Sequence, residues 1–258
     1  MSKIIAFVRR PSHSFDQAIS ATPKSQPINV QRACLQHERY IATLKKTGVA
    51  IVSLPALDEY PDAPFVEDTT IVFDDIALAC PNKEKSRIGE GASIHKEIAK
   101  HRAIKTLPPS VTLDGGDVLN TREKIFVGIS SRTNLEAVKS LSNFTTKPVI
   151  PVEVFRGLHL KTSVSYLGKN TLVLDPSSVD TNPLHEFKWI EASKPNRYSA
   201  NCLAIGETVL ISKGSNEIAN KIHQEGFKTL QLDISEFEKA DGGLTCLSII
   251  LKEIGLEK

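Results

Sequence analysis

One pattern recurs five times along the chain: a polar residue, a short apolar strand, a tight turn and a second apolar strand. Phe65-Val66-Glu67-Asp68 leads into residues 69–73 and, past Asp74-Asp75, into 76–79. Leu113-Asp114-Gly115-Gly116-Asp117 leads into 118–119 and then 125–128, and Leu158-His159-Leu160-Lys161 into 162–167 and then 171–174. Ser199-Ala200-Asn201-Cys202 leads into 203–205 and 209–212, and Asp241-Gly242-Gly243-Leu244-Thr245-Cys246 opens the last strand, 247–251. The equivalent polar positions are 67, 114, 159, 201 and 246, at intervals of 47, 45, 42 and 45 residues. Such a period marks an array of similar supersecondary units, none of which can bury its apolar face alone.

Helix-compatible stretches follow the hairpins at 92–104, 134–141, 183–192 and 217–225, with short strands after them, as at 149–152 and 229–232. The unit is therefore ββαβ. The N-terminus supplies what the last hairpin lacks: a strand at 4–8, a helix at 30–46 capped by Asn29 and closed by Gly48, and a strand at 49–54. No capping repeat is visible, so the array is expected to close on itself. The expectation is an α/β fold, a single domain over 1–258 with five ββαβ modules around a pseudo-fivefold axis. Residues 11–27, rich in Ser, Thr and Pro, read as a long surface loop.

Composition narrows the function. The net charge is +2, with Lys and Arg scattered along the chain, which gives no footprint for nucleic acid or an anionic membrane. The first strand is too short for a signal peptide, and no apolar run approaches the roughly 18 residues of a membrane span. Cys34, Cys80, Cys202 and Cys246 lie far apart, as expected of free thiols in a reducing cytoplasm. Neither a metal nor a cofactor is expected, and a homodimer is one assembly open to such a chain.

In a closed ring, Glu67, Asp68, Asp114, His159, Asn201 and Cys246 are expected to converge on one central cavity. Polar residues are common where hairpins begin, and a lone thiol in a strand is usually inert packing. A thiol, an imidazole and several carboxylates together are instead the inventory of an activated nucleophile. The carboxylates repel an anionic substrate and suit a guanidinium, whose planar donors pair with acids. The expected reaction is thiolate attack on a guanidinium carbon, with His159 protonating the departing amine and then activating water.

The motifs F-V-E-D, L-D-G-G-D-V-L, F-V-G-I-S-S-R-T-N, G-L-H-L-K, A-N-C and D-G-G-L-T-C resemble those of the dimethylarginine dimethylaminohydrolases. That family has the five-bladed α/β-propeller, or pentein, fold. The resemblance runs over about residues 4–251. It implies Cys246 as nucleophile, His159 as general acid/base and Asp114 as its carboxylate partner. It places Glu67 and Asp68 at the guanidinium, Asp62 at the α-amino group, Arg87 and Arg132 at the α-carboxylate, and the backbone of Ala240 against the substrate. The substrates implied are methylated arginines, asymmetric dimethylarginine and monomethylarginine, cleaved to citrulline and an amine.

The main alternatives are arginine deiminase or another guanidino or ureido hydrolase, acting for example on citrulline, and a non-catalytic binding protein on the same propeller. Deiminases carry H-x-D where this chain has His159-Leu160-Lys161, and F-x-R-D where it has F-V-E-D, so both departures favour a methylated substrate. The segment after Arg9 also lacks the leucine of the family's substrate-covering loop. The remaining cysteines are assigned to packing, and the other histidines, His37 among them, to the surface.

Overall fold

The computed structural model describes residues 3–20, 26–194 and 196–253. Its strands form five three-stranded sheets of one pattern. In each, a central strand pairs antiparallel with its hairpin partner and parallel with the strand that follows a crossover. Ring closure is visible in the register. Ile249–Lys252 runs antiparallel to Ile4–Arg9, with Phe7 opposite Ile249, and Ile4–Arg9 runs parallel to Ala50–Leu54. The two ends of the chain thus build one module between them.

Central strands are covered on both faces, which is why they read as apolar runs and not as alternating ones. Thr171–Leu174 is buried at every position, and Ile4–Arg9 at all but its first. The first strands of all five sheets surround the axis. There they line a cavity of about 250 Å³, to which Ile71, Leu119, Tyr166, Leu203 and Ile250 each contribute.

Crossover helices cover the outside. Asn29 caps the longest, Val30–Lys46, by accepting the Arg32 N–H at 2.9 Å. Its buried face is Ala33, Gln36, His37, Tyr40 and Leu44, at helical spacing, so Leu35, two residues from Ala33, falls off the stripe and is 54% exposed. His37 is a correction: it lies in the core, its ring 6.3 Å from that of Phe237, and not on the surface.

Two other expectations need revising. Residues 183–192 are not a helix but a 3-10 turn, Asn182–Leu184, followed by the strand Lys188–Glu191. Pro183 fixes the turn, and the aromatic and β-branched run Phe187-Lys188-Trp189-Ile190 suits a strand paired with Thr171–Leu174. Likewise 92–104 divides into the helix Ala92–Ile98 and the strand Ala103–Thr106. The polar stretch after the first strand is partly structured. His13–Gln17 is a 3-10 turn that buries Phe15 between the rings of Phe65 and Phe237, 5.8 and 5.1 Å away. No helix among the described residues is long and apolar enough to cross a membrane.

Candidate active site

At all five equivalent positions the polar residue borders or sits within a single turn of helix just before an axial strand. The turns are Val66–Thr69, Gly115–Asp117, Leu160–Ser163 and Thr245–Leu247; Asn201 directly follows a fifth, Arg197–Ala200. Cys246 is therefore in a turn, and its strand begins only at Ile249. A 3-10 turn has three residues per revolution, so successive side chains point about 120° apart. Adjacent polar residues in such a turn cannot share a cavity, and the structure separates them.

One small cavity, about 20 Å³, is lined by Asp62, Asp68, Arg87, Arg132, His159, Ala240 and Cys246 among the ten residues singled out in the sequence. Asp114 stands behind it, fully buried, with Oδ2 3.0 Å from His159 Nε2. Asn82, which no sequence pattern marked, donates to Asp114 Oδ1 at 2.8 Å. On the other ring nitrogen, His159 Nδ1 lies 3.8 Å from Asp68 Oδ1. Asp68 is further held by the Gly116 N–H at 3.0 Å and by Arg87 Nη1 at 2.7 Å. A Cβ on Gly116 would overlap both Asp68 and His159, and one on Gly115 would overlap the Glu67 carbonyl, so the double glycine is required by close approach.

The cysteine turn is fixed from several sides. The Gly243 N–H donates to Cys246 Sγ at 3.3 Å. Tyr40 donates to the Leu244 carbonyl at 3.0 Å, Tyr198 to that of Gly242 at 2.7 Å, and Asn201 Oδ1 accepts the Thr245 N–H at 3.1 Å. Cβ atoms on Gly242 and Gly243 would strike the Phe65 ring and Asn201.

Burial, together with the charges of Glu67 and Asp68, pushes the Cys246 thiol up to about 12. Burial alone would lower the His159 imidazole, but Asp68, the hydrogen bond to Asp114, and Asp117 raise it to about 9. Burial would raise Asp68, but His159 and Arg87 hold it at about 2. Near neutral pH the resting site is thus a thiol beside an imidazolium and a carboxylate. Donor atoms of Asp68, Asp114 and His159 lie within 4.8 Å of one another and could hold a metal ion, although each residue is already engaged within the protein.

The other end of the cavity suits an amino-acid head group. Asp62 accepts the Ile19 N–H at 3.1 Å, so the polar stretch after the first strand reaches the site through Ile19. Arg132 Nη1 is buried with no hydrogen-bond partner among the described residues, 3.7 Å from Glu84 and 4.0 Å from Asp114. Arg87 is anchored instead: Nε and Nη2 donate to Glu90 Oε1 at 2.9 and 2.5 Å, and Nη2 also to the Phe65 carbonyl at 3.0 Å. Sequence reasoning missed Ile19, Asn82 and Glu90. Only Ile19 left a trace, as an apolar residue in a polar stretch.

Glu67 and Asn201 are residues that the structure does not bring to this cavity. For Glu67 the reason is local. Its carboxylate pairs with Lys161 Nζ at 2.7 Å and accepts from Thr245 Oγ1 at 2.7 Å. Asn201 Nδ2 donates to the Lys161 carbonyl at 2.9 Å and to Thr245 Oγ1 at 3.1 Å. Glu67, Lys161 and Thr245 face the axial cavity and form a polar floor beneath the site. The single central cavity expected from the repeat is therefore two, and Asn201 belongs to the floor.

Five ββαβ modules closed into a ring, with this arrangement at one end of the axis, define an enzyme of the pentein class. The chain belongs to the dimethylarginine dimethylaminohydrolase family: the model described as "N,N dimethylarginine dimethylhydrolase, eukaryotic" matches residues 6–251. A protein of Aeropyrum pernix is 33% identical over 261 residues, covering 97% of this chain and 96% of its own. The N(G),N(G)-dimethylarginine dimethylaminohydrolase of Pseudomonas aeruginosa is 28% identical over 246 residues, covering 93% and 96%. The structure of a cysteine-to-serine variant of the Pseudomonas aeruginosa enzyme, complexed with citrulline, superposes with a TM-score of 0.92 at 26% identity, covering 97% of this chain and all of that one. The chain is a hydrolase of the dimethylarginine dimethylaminohydrolase type.

Proposed function

We propose that this single-domain protein hydrolyses L-arginine methylated on its guanidinium, asymmetric dimethylarginine and monomethylarginine, to L-citrulline and dimethylamine or methylamine. The observation that carries the reading is the Asp68–His159–Asp114 cluster lining or backing one cavity with Cys246. Asp68 is the acid that receives the guanidinium, Asp62 faces the α-amino group, and Arg132 offers its unpaired buried N–H to the α-carboxylate. The Ile19 N–H holds Asp62 before substrate arrives, so binding requires this loop to yield.

Substrate brings the missing positive charge. A guanidinium beside the thiol stabilises the thiolate, and the thiol proton leaves for solvent. The sulfur attacks the guanidinium carbon, and the tetrahedral adduct expels the methylated nitrogen as an amine, which takes its proton from the His159 imidazolium. The product is a thiouronium on Cys246. Neutral His159 then takes a proton from water as its oxygen attacks the same carbon. Collapse of that second adduct breaks the C–S bond and releases citrulline, its hydroxyl proton passing to the departing sulfur, so that the neutral thiol and the protonated His159 are restored. Asp114 holds the imidazole in orientation throughout. No step calls on a metal or cofactor, and the free thiols suit a reducing cytoplasm.

Lys161 favours methylated over unmethylated arginine. It occupies the place of the second clamping aspartate of the deiminases, and its ammonium is tied to Glu67 in the floor. Asp68 is then the only carboxylate among Glu67, Asp68 and Lys161's position that faces the guanidinium, so free N–H groups on both terminal nitrogens are not demanded. Citrulline release from asymmetric dimethylarginine, monomethylarginine and arginine, side by side with Cys246→Ser as control, tests the reading. Turnover of the methylated compounds well above arginine, lost in the variant, is expected; turnover of arginine alone would overturn it.

A further inference from the structure

The second aspartate of L-D-G-G-D, Asp117, has no part in the reaction above, yet it lies at the centre of a hydrogen-bond network beside the site. It is fully buried, and among the described residues it forms no ion pair with lysine or arginine. A buried carboxylate without a cation is costly unless donors satisfy it. Three do. The Leu160 N–H donates to Oδ1 at 2.8 Å, while Ser130 Oγ and Thr133 Oγ1 donate to Oδ2 at 2.7 and 2.6 Å.

Each donor is one bond from a residue of the proposed machinery. Leu160 follows His159 in the chain. Ser130 Oγ accepts the Arg132 N–H at 3.0 Å, and Thr133 Oγ1 accepts the Asp114 N–H at 3.3 Å. Because both hydroxyls accept from these amides, their own protons are turned toward Asp117, which fixes the direction of the network. An asparagine could accept from Leu160 but would point an N–H donor at the two hydroxyls. Gly128 leaves the space that this carboxylate fills, since a Cβ there would overlap Asp117 Oδ1.

We infer that Asp117 is a positioning residue that locks His159, Asp114 and Arg132 into one geometry, coupling the chemical end of the site to the end that holds the substrate's carboxylate. The inference rests on the proposed reading for the roles of those three residues, but the coupling is a property of the network itself.

Asp117→Asn tests it with two independent readings. The first is discrimination between a methylated arginine and its decarboxylated counterpart, which lacks the group held by Arg132. The variant is expected to lose turnover and to discriminate about tenfold less than wild type, since small displacements of positioning groups cost factors of this size or more. The second is the titration of the His159 C2–H signal by NMR. Asp68, Asp114 and Asp117 face His159, with Arg87 behind Asp68 and Arg132 near Asp114, so removing the Asp117 charge lowers the midpoint. Loss of thermal stability with discrimination and midpoint both unchanged would overturn the inference. If wild type turns over no guanidino amino acid, the functional reading fails while the titration still judges Asp117. If Asp117→Asn does not fold, Thr133→Val takes its place. It must reduce the discrimination and speed amide exchange at Leu160, on the far side of Asp117; unchanged exchange there would overturn the coupling.

Discussion

Two faces of one floor use the same residue types to opposite ends. Glu67 and Asp68 are neighbours in one turn, and His159 and Lys161 sit two apart in another, yet the pairs point to different cavities. Below, Glu67 meets a lysine and a threonine hydroxyl, and Asn201 ties the same group together, so its polar capacity is filled from within. Above, Arg132 has an orphaned donor, Asp62 is met by a loop amide, and the thiol is held neutral by burial and adjacent carboxylates. A buried charge cluster that is satisfied internally is architecture. One left short of partners is ready for a ligand.

Substitutions can break that contrast. The largest effect is expected above the floor. Asp68→Asn should lower kcat/KM for dimethylarginine by about a thousandfold, because it removes the carboxylate proposed to meet the reacting charge. Glu67→Gln should cost much less, and equal losses in a steady-state assay would erase the distinction between the two faces.

Below the floor the cost falls on stability. Lys161→Met leaves Glu67 buried without its cation and should destabilise the fold by about 3 kcal/mol in denaturant titration. The double variant Lys161→Met/Glu67→Gln should recover most of that loss. No recovery would mean that the pair is more than a neutralised charge.

The thiol sharpens the comparison by pH. With burial, Glu67 and Asp68 pushing Cys246 up to about 12, alkylation of the unliganded enzyme by iodoacetamide should rise steadily from about pH 7 to about pH 10. Asp68→Asn should speed it at fixed pH. A plateau near neutrality would show a thiolate already formed. His159, raised to about 9, should remain protonated through neutral pH, and its contribution to stability is present below the ordinary 6.5 and lost as pH rises through about 9.

The smallest effect lies away from both faces. Burial, with Arg10 nearby, lowers His37 from 6.5 to about 4, and its Nε2 has no hydrogen-bond partner among the described residues. The unfolded chain therefore takes up a proton that the folded one refuses, and stability falls as pH drops from about 6.5 through about 4. His37→Gln should flatten that slope in denaturant titrations without changing turnover near neutrality; an unchanged slope would place the acid sensitivity elsewhere.

Much of this is legible in the sequence, and the rest is hidden for definite reasons. The 45-residue period implied a closed ring, because the first strand, helix and strand complement the last hairpin, and Phe7 does lie opposite Ile249. Cys246 and His159, two of the five equivalent positions, share a cavity, and Asp68 joins them from the position next to Glu67. The period could not tell Glu67 from Asp68, since direction is decided by the 3-10 turn that carries them and not by their place in the repeat. The strand at Lys188–Glu191 was missed because a short amphipathic run fits either period until Pro183 and the parallel partner are considered. Glu90 and Asp117 act through other side chains, and contacts of that kind leave no spacing to read.

The central claim is a covalent one: Cys246 attacks the guanidinium carbon. Rapid quenching of wild-type enzyme turning over asymmetric dimethylarginine, followed by peptide mass spectrometry, tests it most directly. The account predicts a thiouronium adduct that has lost dimethylamine, confined to the peptide carrying Cys246 and absent from Cys246→Ser. An adduct on another residue, or turnover that survives in Cys246→Ser, would contradict it.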